Sequence, residues 1–545
     1  MAAGNALGRR RPLNRWRAAP GRGDRRRGEA VLTVDLVRRG ARHHGPRVAV
    51  QYRDQALTFT DVDELSNCLA NALIAYGVTP QAPVGLLVDN GVHSIPLDFA
   101  CLKARAIRVP LNSRLSRAEH ARMLRETGVR TLVYSPALAE RAAMLAMDVD
   151  DLTATSLGPT DGDAPDLLAA AADFSTADPA LSTPPDDVVL ALYTSGTTGT
   201  LKAAQHTQAS YAAIVANILA NLVSPQRDDA MLHAASLIHA SGTFVLPFWL
   251  AGARNIVLDG FNPATFLDDV VVTGATHVNM VPTMLGMLLA DERRAAGDTG
   301  RLRCVIYGAS PMPASTLRTA MSLWGPIFTQ YYGQTEAPLA ITVLDATDHV
   351  GDDAPLDSCG QPAVDAEVLL LDDDGNAVAT GEVGEIAVRA PFTHIGYLNA
   401  PELDAGARTA DGFLRTRDVG RFDERGYLYL VDRTSDMIIT GGYNVYPREV
   451  EDALLEHPAI VEAVVVGAPD ETWVEAVTAF VVVRPGTEVT DDELRQVVRD
   501  RLAAYKVPKR IERLDAIPKS AVGKLLRRAV RDPLWVGQSR PGATT

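Results

Sequence analysis

Cysteine is scarce. Four residues in a chain of 545, Cys68, Cys101, Cys304 and Cys359, stand far apart with no C-x-x-C pair. That spacing excludes a disulfide framework and the common zinc motifs, and points to a reducing, cytoplasmic setting. Aromatic residues make up only 6%. No apolar run reaches the roughly 18 residues that a membrane-spanning helix needs, and no internal repeat or collagen-like tract is present. What remains, 47% hydrophobic and 22% charged residues, is the composition of an ordinary globular protein. The length implies more than one domain, each large enough to bury a core.

Charge is unevenly spread. The whole chain carries −14, yet residues 1–30 hold nine arginines against two acids, Asp24 and Glu29. This segment has too little apolar content to fold and is read as a disordered basic leader. The acidic body would repel phosphate backbones, so neither nucleic acid nor a membrane is expected as a partner. No hydrophobic stretch follows the arginines to make them an export signal.

From Val31 onward short apolar runs alternate with helical patterns. Val84–Val88, Ala106–Pro110, Thr131–Tyr134 and Val188–Leu192 read as buried strands, and Glu119–Arg125 as helix. The fold class expected is α/β, a large N-terminal domain of parallel or mixed sheets with flanking helices over residues 31–432. Residues 159–187 read as a surface connection. After Asp432 the texture changes: Pro447 opens a helix, apolar runs follow at Val461–Val466 and Ala476–Val483, and Thr490 to Glu493 is a capping box before a helix running to about Ala504. Residues 433–533 are therefore assigned to a small mobile α+β domain, and 534–545 to a tail.

The densest local signal is Tyr193-Thr194-Ser195-Gly196-Thr197-Thr198-Gly199-Thr200-Leu201-Lys202. It follows a strand and leads to an amphipathic helix with Tyr211, Val215, Ile218 and Leu222 on one face. Backbone N–H groups, hydroxyls and one cation together suit an anionic ligand. The spacing differs from G-x-x-x-x-G-K-[ST], because Lys202 comes three residues after the last glycine. This segment resembles the phosphate loop of the ANL adenylate-forming superfamily. The superfamily's other motifs resemble segments that follow in order: Tyr331-Tyr332-Gly333-Gln334-Thr335-Glu336, Gly384 to Arg389, Thr416-Arg417-Asp418, Asp432-Arg433, Gly441-Gly442 with Tyr443 to Pro447, and Pro518 to Lys524.

The resemblance, to the acyl-CoA synthetase branch, implies an acid:CoA ligase. A carboxylate attacks the α-phosphate of ATP to give acyl-AMP and pyrophosphate, and coenzyme A then displaces AMP. It implies that Lys524, Thr335, Glu336 and His239 are catalytic, with Glu336 on Mg²⁺ and His239 gating the acyl pocket. Thr194, Ser195, Gly196, Thr197, Thr198, Gly199 and Lys202 would hold phosphate. Gly308, Ala309 and Ser310 would face Tyr332 across adenine, and Asp418 with Arg433 would hold the ribose. Ser435 would be the hinge, and Gly441 and Gly442 would line the pantetheine arm. An Asp that amino-acid-activating relatives place near His239 is missing, which implies an acid without an α-amino group. The acyl pocket is expected near His239, Asn279–Thr283 and Tyr307–Pro311.

Three departures bear on the first half-reaction. Leu201 and Ala203 replace the usual proline and glycine around Lys202, Arg417 replaces the glycine of T-G-D, and Ser435 stands where Asp or Lys is usual. A long cation at 417 could hold phosphate or crowd ATP. An enzyme that only thioesterifies a preformed acyl-AMP, an acyl carrier protein in place of CoA, and a catalytically silent nucleotide-binding protein are the alternatives.

Overall fold

The computed structural model describes residues 31–162, 164–195, 201–291, 295–310, 312–433, 436–440, 443–470, 473–519 and 525–536. The leader at 1–30 thus lies outside the described residues. The architecture is the mixed α/β one expected, a large sheet-rich N-terminal domain followed by a smaller C-terminal one.

Two sheets with parallel centres dominate the large domain. A nine-stranded sheet runs in the order 361–362, 337–344, 328–334, 304–308, 277–280, 230–233, 254–257, 48–52, 55–58. Its six middle strands, 328–334 to 48–52 in that order, pair in parallel, and antiparallel strands close both edges. A seven-stranded sheet runs 396–397, 201–207, 188–195, 107–110, 83–87, 131–134, 153–156. Strands covered on both faces read as continuous apolar runs, which is why these segments were legible. Phe59 and Phe99 pack on Trp249 at ring centroid distances of 4.4 and 5.0 Å. The Trp249 indole donates to the Val37 carbonyl at 2.9 Å.

Helix limits follow their caps. Ser116 and Glu119 form a reciprocal capping box for helix Arg117–Thr127, which Gly128 ends at φ +67°. Helix Gln208–Asn221 starts at Thr207 and buries Tyr211, Ile214, Val215 and Ile218. Residues 159–187 include a one-turn helix, Leu167–Ala171. Arg38 clamps Asp178 in this connection with two hydrogen bonds, at 2.8 and 2.9 Å.

Two local expectations need correction, and one sheet is added to them. The Gly/Thr loop leads into a strand, Leu201–Thr207, antiparallel to Val188–Ser195, before the helix begins. Lys202 is thus a hairpin residue and not part of a strand-to-helix turn. Residues 367–433 form a separate four-stranded antiparallel sheet in the order 367–371, 384–389, 414–422, 428–433. The helix after Thr490 stops at Arg499, capped at Asp500, and a 3₁₀ turn covers Ala504–Lys506. Pro508 disfavours helix in the residue before it, which limits any extension.

The C-terminal domain is built on a long hairpin, Ile460–Asp470 with Val474–Val483, flanked by strands 438–440 and 510–513. Helix Pro447–Leu455, with proline in its first turn, packs Val450 and Leu454 into the same core as Val465 and Val477.

Candidate active site

Ligand sites in parallel α/β sheets form beyond the carboxyl ends of the strands. Several candidate residues of the large domain lie there. Strand Phe328–Gln334 delivers Thr335 and Glu336, and strand Cys304–Gly308 delivers Ala309 and Ser310. The loop after Ile107–Pro110 carries Asn112, and the turn after Ala230–His233 carries His239.

Glu336 is oriented from several sides. Tyr397 donates its hydroxyl to Glu336 Oε1 at 2.6 Å. Burial and the adjacent Glu336 charge push the Tyr397 phenol above its ordinary range, so it stays a donor. The His394 amide donates to the Glu336 carbonyl at 2.7 Å. His206 Nε2 donates to the Thr335 carbonyl at 2.8 Å, and burial holds this imidazole down at about 4, in its neutral form. The sheet explains these neighbours. Successive residues of strand Leu201–Thr207 alternate in facing, so Lys202, Ala204 and His206 share one face. Tyr397 pairs with Ala204, and Lys202 Nζ comes to 5.7 Å from the Tyr397 ring centroid. A cation, an aromatic ring and a carboxylate remote in sequence therefore meet.

Asp418 is set by a bulge. Ala387 pairs with Arg415 and Glu385 with Val419, so one strand spends two extra residues between matched pairs. Thr416 Oγ1 donates to the Ile386 carbonyl at 2.8 Å and accepts from the Asp418 amide at 3.1 Å. The Arg417 amide donates to Glu385 Oε1 at 3.2 Å. Bulges re-aim side chains, and here Asp418 turns inward, 6% exposed, where the Tyr332 hydroxyl donates to Oδ2 at 2.7 Å. Burial first, then the Asp418 charge, raises the Tyr332 phenol well above its usual range. Tyr332 is itself 7% exposed, so its clearest bond in the site is to the carboxylate beside it.

Gly308 is required by packing: a Cβ there would stand 2.4 Å from the Tyr331 carbonyl oxygen. Ala309 follows at φ +67°, and both Ala309 and Ser310 are half-buried. Where the acyl pocket was expected, His239 Nε2 lies 3.2 Å from Asn112 Nδ2. The turn bearing His239 is anchored underneath by His233, whose Nδ1 accepts from Ser241 Oγ at 2.9 Å while Nε2 donates to Asn255 Oδ1 at 3.0 Å. Asn279 donates to the Ile306 carbonyl at 3.2 Å. Tyr307, expected to line the pocket, is instead a core residue: it is 0% exposed and its hydroxyl lies 2.8 Å from His349 Nε2.

The structure thus brings together Lys202, Thr335 and Glu336, and links Tyr332 to Asp418. Arg433 pairs with Asp418 across the sheet through backbone register. Gly196, Thr197, Thr198, Gly199, Ser435, Gly441, Gly442, Lys524 and the side chains of Thr194, Ser195 and Arg433 lie outside the described residues. Tyr397, His206, His394 and Asn112 were missed. A histidine amid Ala203-Ala204-Gln205 in a buried segment was the one visible hint.

Residues 37–398 match the family model of AMP-binding enzymes, and residues 449–524, ending on Lys524, match that of the AMP-binding enzyme C-terminal domain. The chain belongs to the AMP-binding enzymes. This AMP-binding enzyme is 39% identical over 503 residues to the medium/long-chain-fatty-acid–CoA ligase FadD8 of Mycobacterium tuberculosis, covering 89% of this chain and 87% of that one. It is 36% identical over 496 residues to a feruloyl-CoA synthase of an Amycolatopsis species, covering 90% and 97%. Among solved structures, the o-succinylbenzoate CoA synthetase MenE of Bacillus subtilis, in complex with its acyl-adenylate intermediate OSB-AMP, superposes with a TM-score of 0.80. That match has 28% identity over 91% of this chain and 98% of the other. Among the described residues, no helix of the AMP-binding enzyme is long and apolar enough to cross a membrane.

Proposed function

We propose that the protein is an AMP-forming acid:CoA ligase acting on an apolar or aromatic carboxylic acid without an α-amino group. The observation that carries this is the meeting of Lys202, the Thr335–Glu336 segment and Tyr397, with the Tyr332–Asp418 pair beside them, at the carboxyl ends of parallel strands. Both matched family models and the names of the relatives support it.

In the first half-reaction a carboxylate oxygen attacks the α-phosphorus of ATP, the bond to the bridging oxygen breaks, and pyrophosphate leaves. Positioning and charge stabilisation are the protein's main contributions to such a step. Asp418 accepts from the ribose hydroxyls. The Gly308–Ser310 segment, too tight for a Cβ at 308, forms a wall for adenine. Lys202 and the loop before it meet the phosphates, and Lys524 stabilises charge between acid and phosphate. Glu336 and the Thr335 hydroxyl are hard oxygen donors that fit Mg²⁺, and among the described residues no cluster of three or more acidic, His or Cys side chains forms a separate metal cage. Bound there, Mg²⁺ would neutralise charge on the departing pyrophosphate.

In the second half-reaction the thiol of CoA gives up its proton to solvent, its sulfur forms a bond to the acyl carbon, and AMP leaves with the electron pair of the broken carbon–oxygen bond. The domains are taken as 31–432 and 433–533, turning about Ser435, so that Lys524 withdraws and Gly441–Gly442 close on the pantetheine arm. The acid is matched to the polar pair His239 and Asn112 and to the fatty and aromatic acids in the relatives' names.

The test is pyrophosphate exchange with a panel of fatty, aromatic and alicyclic acids, followed by CoA-dependent AMP release from supplied acyl-adenylates. A ligase is active in both. Activity in the second alone would establish the thioesterification-only reading, and activity in neither would leave only a binding protein. Lys524→Ala is expected to lose exchange by about 100-fold or more while AMP release from supplied adenylate survives.

A further inference from the structure

Arg417 sits at φ +66°. This left-handed conformation strains residues with a side chain, and glycine adopts it freely. The two-residue bulge between Arg415 and Val419 demands it, because that is how the strand turns Asp418 inward. Glycine would therefore meet every backbone requirement of the turn. An exposed arginine stands there instead, and strained non-glycine residues of this kind cluster at ligand sites.

The guanidinium's surroundings show what it faces. Its Nη2 lies 3.4 Å from the Gly406 carbonyl oxygen, in the last turn of helix Pro401–Ala407. That helix also carries Asp404, whose Oδ1 accepts from the Tyr397 amide at 2.8 Å; Tyr397 is the ring that Lys202 Nζ approaches to 5.7 Å and whose hydroxyl holds Glu336. Lys202 thus borders the Tyr397–Glu336 pair from the hairpin, while Arg417, the residue before Asp418, reaches the helix that holds the Tyr397 amide. The loop on the Lys202 side lacks both the proline and the glycine of its family, standing as Leu201 and Ala203.

We propose that Arg417 is a nucleotide-binding residue whose guanidinium takes the β- and γ-phosphates of ATP, the part that leaves as pyrophosphate. The assignment rests on the ligase reading above. A planar guanidinium with several donors suits phosphate oxygens better than a lone ammonium does. The position also sets it apart from its neighbour: Asp418, buried and bonded to Tyr332, serves the ribose, which AMP and ATP share, whereas Arg417 serves only what AMP lacks.

The experiment compares wild-type protein with Arg417→Gln, Arg417→Lys and Arg417→Gly at full length, by calorimetric titration with MgATP and with AMP. Arg417→Gln is expected to weaken MgATP about tenfold and to leave AMP within about twofold, with Arg417→Lys in between. In pyrophosphate exchange the KM for MgATP rises about tenfold while the KM for the acid holds. Arg417→Gly, freed of strain, is expected to melt at the same temperature or higher while binding MgATP as weakly as the glutamine variant. Unchanged MgATP affinity in Arg417→Gln overturns the proposal. So does an equal loss for AMP, which would make Arg417 a brace for helix Pro401–Ala407 through Gly406. A wild-type enzyme without exchange activity would instead fault the ligase reading, so the two failures are separable.

Discussion

Asp418 and Glu336 are the two acids that the sequence motifs single out, and each is held by a tyrosine hydroxyl. Tyr332 was legible within Tyr331-Tyr332-Gly333, but its aromatic face drew the attention and its hydroxyl did not. Tyr397 lies 61 residues beyond the carboxylate it serves, so no local pattern could reveal it. The two tyrosines predict different phenotypes. Tyr332→Phe removes a donor from a carboxylate 6% exposed, and is expected to weaken ATP and AMP by equal factors and to cost about 1–3 kcal/mol of stability. Calorimetry with both nucleotides and thermal denaturation check this. Tyr397→Phe loosens Glu336 instead: pyrophosphate exchange should fall about tenfold at saturating ATP, with AMP affinity held. An unchanged exchange rate would show that the hydroxyl does not position the carboxylate.

At the scale of elements, the strands that read clearly are those buried on both faces, such as Thr131–Tyr134, found at its expected limits. The hairpin strand Leu201–Thr207 was illegible because its polar Lys202, Gln205 and His206 break the apolar run, and their partners lie near Glu336 and Tyr397. The antiparallel sheet at 367–433 was missed for a related reason: strand Leu414–Phe422 contains the bulge, and strict alternation fails where Asp418, Val419 and Gly420 are buried in succession. One hydroxyl makes two of the bonds at that bulge. Thr416→Val deletes both the bond to Ile386 and the one from the Asp418 amide, and is expected to cost about 1–3 kcal/mol and to lower nucleotide affinity. Gly308→Ala tests the tight approach of two parallel strands. With backbone 2.4 Å from the new Cβ the strand must shift, at about 1–3 kcal/mol, measurable as a lower denaturation midpoint.

For the molecule as a whole, buried neutral histidines couple stability to pH. Burial lowers His233 and His277 to about 4 from an ordinary 6.5. Around His277 the Asp229 carboxylate favours protonation and Arg303 opposes it, and burial outweighs both. Above about pH 6.5 folded and unfolded forms are alike unprotonated at these sites. Between 6.5 and 4 the unfolded chain takes up protons that the folded one refuses, so stability falls with pH by up to about 1.4 kcal/mol per unit for each histidine. Denaturant titrations from pH 8 to 5 should show a plateau and then a decline; rising stability toward pH 5 would contradict this account. The family was legible across the whole chain because its motifs are spaced through it in order. Their meeting was not, since it depends on sheets assembled from distant segments.

The order of the strands has one more consequence. The seven-stranded sheet takes its edge strand from Gly396–Tyr397 and seats it against Leu201–Thr207, and Asp418 comes later still. During synthesis the lysine leaves the ribosome long before the tyrosine and carboxylates that complete its surroundings. The edge of strand Leu201–Thr207 therefore stays without its neighbour until Gly396–Tyr397 has been made.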